Sequence, residues 1–172
     1  MEKNILMVIA SYDFNEIEYS VPRRIFEEGG FNVKTASSEG GKCYGSEKSV
    51  VEADLSLRDV NIVDFEAIVF VGGEGVEMYF GKEEALNLIK DFYYAGKLVC
   101  AICWAPVVLA KAGVLRNKQA TVWNGAVNDL DLADATYTAE RVTVDGNIIT
   151  ANGPAASEEF ADKIVDLLST NV

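Results

Sequence analysis

The sequence contains no histidine in 172 residues and only three cysteines. Without histidine, the chain has no Cys-His or Ser-His pair for nucleophilic catalysis. The cysteines are too few and too scattered for a disulfide framework or for the usual zinc sites. We therefore expect neither a metal nor another cofactor.

Positive charge is also scarce, because 15 lysines and arginines stand against 27 acidic residues and the net charge is −12. Such a chain repels phosphate backbones and anionic membranes, so we expect no nucleic acid and no membrane as partner. No apolar run reaches the ~18 residues of a transmembrane helix. The first residues, MEKNILMVIASYDF, resemble a strand rather than a signal peptide, so we expect a cytoplasmic protein.

Short β-rich runs alternate with helical segments along the chain, which predicts one α/β domain over residues 1–172 with a mostly parallel sheet between helices. Three of the runs are continuously apolar, as in strands buried on both faces. The predicted strands are 4–10, 31–36, 67–73, 97–103 and 119–123, with a hairpin over 141–150 and a possible small hairpin within 42–53. The predicted helices are 15–28, 83–96, 105–113 and 157–168.

The stretch AICWAP, residues 101–106, places Cys103 where a buried strand turns into a helix. Pro106 suits the first helical turn, and the unpaired N–H groups and dipole of the helix favour a thiolate with a lowered pKa. Cys100 is not a redox partner, because three residues of extended strand span about 10 Å and a disulfide needs Cα atoms within roughly 7 Å. The alternative is that Cys103 is a small buried hydrophobe without chemistry.

Glu18 has an unusual position on the first predicted helix. Val21, Pro22 and Ile25 follow it at helical spacing, so Glu18 shares a face that should be buried. If Glu18 meets Cys103, the pair should hold about one proton, as a thiolate beside a neutral carboxyl. We expect Pro22 to break or kink the helix, and such a kink could instead turn Glu18 towards solvent.

Gly72 and Gly73 end another buried strand, and glycine permits close approach of the backbone. If this turn lies beside Cys103, the N–H groups of Gly73 and Trp104 could form an oxyanion hole. The segment lacks the G-x-G-x-x-G pattern of nucleotide-binding loops.

With AICWAPVVLAKAGVL, VFVGGEG, NEIEYSVP and DGNIITANGPAASEEFA in place, the sequence resembles the ThiJ/PfpI family. This family includes the Parkinsonism-associated deglycase and belongs to the class I glutamine-amidotransferase-like superfamily. The resemblance implies a flavodoxin-like three-layer sandwich and a homo-oligomer, a dimer or larger. It also implies Cys103 as the reactive cysteine, Glu18 as its partner, and Gly73 with Trp104 as backbone donors.

The chain departs from the family pattern where histidines are expected. Trp104 follows the cysteine where the peptidase-like branch has histidine, and Trp123 stands where the deglycase-like branch has one. We expect Gly72 and Trp123 to line the pocket of the site. The alternative is that Trp104 and Trp123 are ordinary packing residues. We expect glyoxalase- or deglycase-like chemistry on a small reactive carbonyl compound. The alternatives are an oxidative-stress sensor or chaperone-like protein that uses Cys103 oxidation and, disfavoured without histidine, a cysteine peptidase or amidase.

Overall fold

The computed structural model describes residues 2–170, which form twelve strands and five α-helices. In chain order the strands are β1 (Asn4–Val8), β2 (Tyr12–Phe14), β3 (Asn32–Ser37), β4 (Gly41–Gly45), β5 (Val50–Ala53), β6 (Leu55–Ser56), β7 (Ala67–Phe70), β8 (Leu98–Ile102), β9 (Gln119–Ala120), β10 (Thr136–Tyr137), β11 (Val142–Asp145) and β12 (Ile148–Ala151). The helices are α1 (Glu16–Glu28), α2 (Glu83–Tyr94), α3 (Pro106–Lys111), α4 (Val127–Leu132) and α5 (Ser157–Thr170).

A seven-stranded sheet in the order β11-β12-β8-β7-β1-β3-β6 forms the centre. Every neighbouring pair is parallel except β11 and β12, which form the predicted antiparallel hairpin. Every residue of β7 and β8 is buried, as their unbroken apolar sequences predict. The carboxyl ends of β1, β7 and β8 therefore meet at one edge of the sheet, the edge where α/β folds place their sites.

The helices form two groups around this sheet. One group is α1 with α5, which contact β3, β8 and β12, and the other is α2, α3 and α4, which reach β7 and β8. Because β8 is buried along its whole length and touches both groups, the groups cover opposite faces. The predicted three-layer sandwich is thus confirmed.

None of the helices within residues 2–170 combines the length and apolar character needed to cross a membrane.

One local prediction is confirmed and another holds only in part. The hairpin within 42–53 is present as antiparallel β4 and β5, which join β2 in a small three-stranded sheet. The strand predicted over 119–123 is wrong in length, because only Gln119–Ala120 pairs, with β10 and outside the main sheet. The Thr121 N–H donates instead to the Thr150 hydroxyl at 2.9 Å.

The expectation that Pro22 breaks its segment is wrong, because α1 runs through it as one helix. Pro22 lacks only the N–H that would bond to the Glu18 carbonyl. The Asn15 side chain caps the helix by accepting from the Glu18 N–H at 3.1 Å. The cap and the packing of α1 against α5 hold the helix across the missing bond.

Tyr79 links three segments around the core and provides a test of the packing. Its buried hydroxyl donates to the Ile9 carbonyl at 2.6 Å and accepts from the Ser38 N–H at 3.1 Å. We expect Tyr79→Phe to lower the free energy of unfolding by about 1–3 kcal/mol, because both backbone groups lose their partner. Urea unfolding measures the change. The control is Tyr94→Phe, at a side chain that is 79% exposed, and an equal effect of both substitutions would contradict the assignment.

Candidate active site

Cys103 lies in the turn between β8 and α3, at the carboxyl edge of the sheet. Its φ is 66°, in the left-handed region that non-glycine residues rarely adopt. Two hydrogen bonds hold this conformation: the Cys103 N–H donates to the Ala151 carbonyl at 2.8 Å, and the Cys103 carbonyl accepts from the Trp123 N–H at 2.7 Å. The backbone thus fixes the cysteine in a strained turn of the kind found at functional sites.

Glu18 projects from the first turn of α1 to the same place and is fully buried. Gly72 lies between it and the cysteine. A Cβ added at Gly72 would overlap Glu18 Oε1 and would lie 2.8 Å from the Cys103 Cβ and 2.7 Å from the Ile102 carbonyl oxygen. Only glycine therefore lets the carboxyl, the strand end and the cysteine come together. The alternative in which Glu18 turns to solvent is excluded.

The Glu18 carboxyl is an unusual buried group. Among residues 2–170, neither of its oxygens has a hydrogen bond of acceptable geometry. The Cys103 thiol and the Gly72 N–H are nevertheless near enough to favour the ionised form. Burial outweighs them and raises the pKa of Glu18 to about 8. At neutral pH the carboxyl is therefore mostly protonated.

The Cys103 thiol does not have the lowered pKa that the sequence suggested. Burial raises its pKa to about 12, and the negative charge of an ionised Glu18 adds to the shift. The N–H groups of Trp104 and Gly73 act in the opposite direction, but more weakly. The expectation was wrong because the thiol is largely enclosed and α3 has only six residues. Once either Glu18 or Cys103 is ionised, its negative charge disfavours ionisation of the other, so the two groups titrate as a coupled pair.

Gly73 supports the site through its backbone rather than through a side chain. Its φ of 102° suits glycine, and a Cβ there would lie 2.5 Å from the Asp13 carbonyl oxygen and 2.6 Å from the Asn15 nitrogen. The Asn15 N–H in turn donates to the Gly72 carbonyl at 2.9 Å. The glycine turn therefore packs directly onto the segment that leads into α1.

The two tryptophans lie beside the cysteine in one aromatic group. The Trp104 ring meets Phe80 edge-on, with centroids 5.0 Å apart, and meets Trp123 at 6.3 Å. Trp104 is half-buried, whereas Trp123 is 45% exposed. Both therefore take part in packing, and a pocket lined by Gly72 and Trp123 stays a prediction.

Some contributors to the site were missed in the sequence. The Ala151 carbonyl and the Asn15 cap act through groups that any residue, or many polar residues, could supply. Phe80 follows a short 3-10 segment, Glu74–Tyr79, and lacks a periodic pattern that would assign it a neighbour. The other two cysteines, Cys43 and Cys100, are buried and free.

Known proteins match this chain along nearly its whole length. The DJ-1/PfpI family model matches residues 3–167. An uncharacterised protein from Methanocaldococcus jannaschii is 39% identical over 97% of this chain and 83% of its own length. A deglycase from Pyrococcus horikoshii is 31% identical over 95% and 98%. The crystal structure of a ThiJ/PfpI domain protein from Brachyspira murdochii has a TM-score of 0.97 and 32% identity over the whole of both chains. The family resemblance is confirmed, and the chain belongs to the DJ-1/PfpI family.

Proposed function

We propose that the protein is an enzyme of glyoxalase or deglycase type that acts on small reactive carbonyl compounds. Cys103 is its nucleophile and Glu18 transfers the protons. The observation that supports this most directly is the buried Glu18 carboxyl, without a hydrogen bond of its own, beside a partly exposed thiol. Several relatives are named deglycases, which is consistent with the proposal.

Glu18 takes the part that histidine plays in other cysteine enzymes. A proton-transfer group works best when its pKa lies near the working pH, and burial brings the pKa of Glu18 to about 8. An ordinary glutamate would be ionised at neutral pH and could only accept a proton. Glu18 can both accept and donate one. Since the chain has no histidine, peptidase chemistry by a Cys-His pair is not proposed.

Methylglyoxal illustrates the reaction. The Cys103 sulfur adds to the aldehyde carbon and the thiol proton passes to the aldehyde oxygen, which gives a hemithioacetal. Glu18 moves a proton from that carbon to the neighbouring carbon, and the proton of the hemithioacetal hydroxyl passes to the ketone oxygen, so the aldehyde carbon becomes a thioester while the ketone becomes an alcohol. Water hydrolyses the thioester, releases lactate and restores the thiol. The N–H groups of Gly73 and Trp104 would stabilise the negative oxygen that forms next to the sulfur.

The first test is formation of D-lactate from methylglyoxal. We expect steady turnover by the wild-type protein and only the uncatalysed rate with Cys103→Ala, because the attacking sulfur is absent. A coupled D-lactate dehydrogenase assay measures the product. Cys100→Ala makes the same change three residues earlier in β8 and should retain activity. Wild-type turnover no faster than that of Cys103→Ala would refute the proposal.

The second test is the pH dependence of thiol alkylation. As the pH rises through about 8, Glu18 ionises and its charge keeps the neighbouring thiol protonated. Glu18→Gln removes that charge. The alkylation rate of Glu18→Gln divided by that of the wild-type protein should therefore increase with pH. If the charge of Glu18 raises the thiol pKa by one unit, the ratio should rise about tenfold. Mass spectrometry after iodoacetamide treatment measures the rates.

Glu28→Gln is the matched control for this titration, because Glu28 is exposed at the far end of the same helix. Its alkylation profile should coincide with that of the wild-type protein. A Glu18→Gln to wild-type ratio that stays constant from low to high pH would show that the two groups do not interact.

A second candidate function is oxidation sensing at Cys103. Glu18 and the N–H groups of Gly73 and Trp104 all affect the pKa of Cys103 and therefore lie near its sulfur, and a sulfinate there would accept hydrogen bonds from the two N–H groups and from a protonated Glu18. The oxidant is hydrogen peroxide, which converts the thiol to sulfenic and then sulfinic acid.

This second function predicts a selective gain of mass. After mild peroxide treatment, Cys103 should gain two oxygen atoms while the buried Cys43 and Cys100 stay reduced, because only Cys103 is partly exposed. Intact-mass and peptide mass spectrometry locate the oxygen. If Cys103 resists peroxide as well as Cys100 does, the sensing role is ruled out.

A further inference from the structure

We propose that the site prefers carbonyl compounds with a planar aromatic substituent and that Trp123 is the residue that confers this preference. The inference deepens the function proposed above and rests on it for the reaction. It concerns the aromatic wall, by which we mean Phe80, Trp104 and Trp123.

The aromatic wall begins at the nucleophile itself. Trp104 is the next residue after Cys103, and its ring lies between those of Phe80 and Trp123, with interplanar angles of 85° and 72°. Edge-to-face contacts of this kind fix each ring in position. They leave ring faces that are not stacked on one another, and a flat ligand could stack there.

Trp123 is joined to the turn that carries Cys103 by its backbone, and its ring has a fixed position. Its N–H donates to the Cys103 carbonyl at 2.7 Å. Its six-membered ring lies directly over Gly125, where an added Cβ would overlap three of the ring carbons. Although Gly125 lies against this ring and the Trp104 ring meets it at a steep angle, Trp123 is still 45% exposed. An exposed aromatic surface is therefore joined through a backbone bond to the residue that carries the attacking sulfur.

The chemistry of indole limits what this surface does. The indole N–H is a donor only and does not titrate, so neither tryptophan can relay protons as a histidine would. A contact between aromatic rings contributes about 0.5–1.5 kcal/mol beyond the burial of area, which corresponds to roughly two- to tenfold in affinity. The expected role of Trp123 is therefore selection of the substituent on the carbonyl compound.

The kinetic experiment compares phenylglyoxal with methylglyoxal. Both carry an aldehyde beside a ketone and differ only in phenyl against methyl. The kcat/KM for phenylglyoxal divided by that for methylglyoxal should fall roughly two- to tenfold in Trp123→Ala. The main cause should be a higher KM for phenylglyoxal. Trp123→Phe should keep most of the preference, and Trp123→Leu, which keeps the apolar bulk alone, should lose it.

Tyr94→Ala is the matched control. Tyr94 is an aromatic side chain that is 79% exposed at the end of α2, before β8 begins and hence at the opposite edge of the sheet from Cys103. Its removal should leave the substrate ratio unchanged. Equal ratios in wild type and Trp123→Ala, with normal Cys103-dependent turnover, would overturn the inference and leave the proposed function standing.

A binding experiment separates the two proposals when turnover is absent. In Cys103→Ala, which cannot react, 2-hydroxyacetophenone should bind more tightly than hydroxyacetone by calorimetry, and Cys103→Ala/Trp123→Ala should lose the difference. Binding of 2-hydroxyacetophenone should also change the tryptophan fluorescence of Cys103→Ala. This fluorescence comes only from Trp104 and Trp123, because the chain has no other tryptophan. Selective binding without any turnover would support the aromatic surface and refute the reaction. Equal weak binding of both compounds would refute the surface.

Discussion

A carboxyl group buried without a hydrogen bond of its own is the constraint on which the site depends. A polar group removed from water without compensation costs several kcal/mol if it is charged, so Glu18 keeps its proton instead. The neighbouring backbone is shaped around it. Gly72 has no side chain that would collide with it, and Asn15 starts α1 at the position that directs Glu18 towards the sheet edge. Together these features hold the carboxyl at the sheet edge beside Cys103.

The same burial sets the chemistry of the pair. The thiol of Cys103 is enclosed as well, so a free thiolate is not the resting state, and the backbone donors at Gly73 and Trp104 only partly offset the cost of charge. In the reaction proposed above, the thiol must therefore lose its proton as the sulfur attacks. Glu18 is suited to the later proton transfer between the two carbons because its pKa lies near neutrality, in the range that histidine usually occupies. The absence of histidine thus argues against a Cys-His mechanism but leaves the proposed Cys103–Glu18 pair in place.

The sequence predicted the sheet well because β7 and β8 are short apolar runs, which occur in strands buried on both faces. It also indicated that Glu18 is buried, since residues at helical spacing from it are apolar. It failed where tertiary contacts override local preference. Packing against α5 stabilises α1 even though Pro22 lies within it. Residues 121–123 do not continue the strand, because Thr121 and Trp123 bond to distant segments instead. The raised pKa of Cys103 depends on how fully the turn is enclosed, which no local pattern specifies.

The two backbone bonds of Cys103 also bear on the order in which the protein folds. Their partners, Trp123 and Ala151, both lie after Cys103 in the chain. On the ribosome, a nascent chain that ends before residue 151 lacks the acceptor for the Cys103 N–H, so at most the bond from Trp123 is available to hold the strained turn. Glu18 and the glycine turn are already synthesised by then and must wait for the last strand of the sheet. The complete arrangement, with both backbone bonds of Cys103, therefore requires the chain to be synthesised through residue 151.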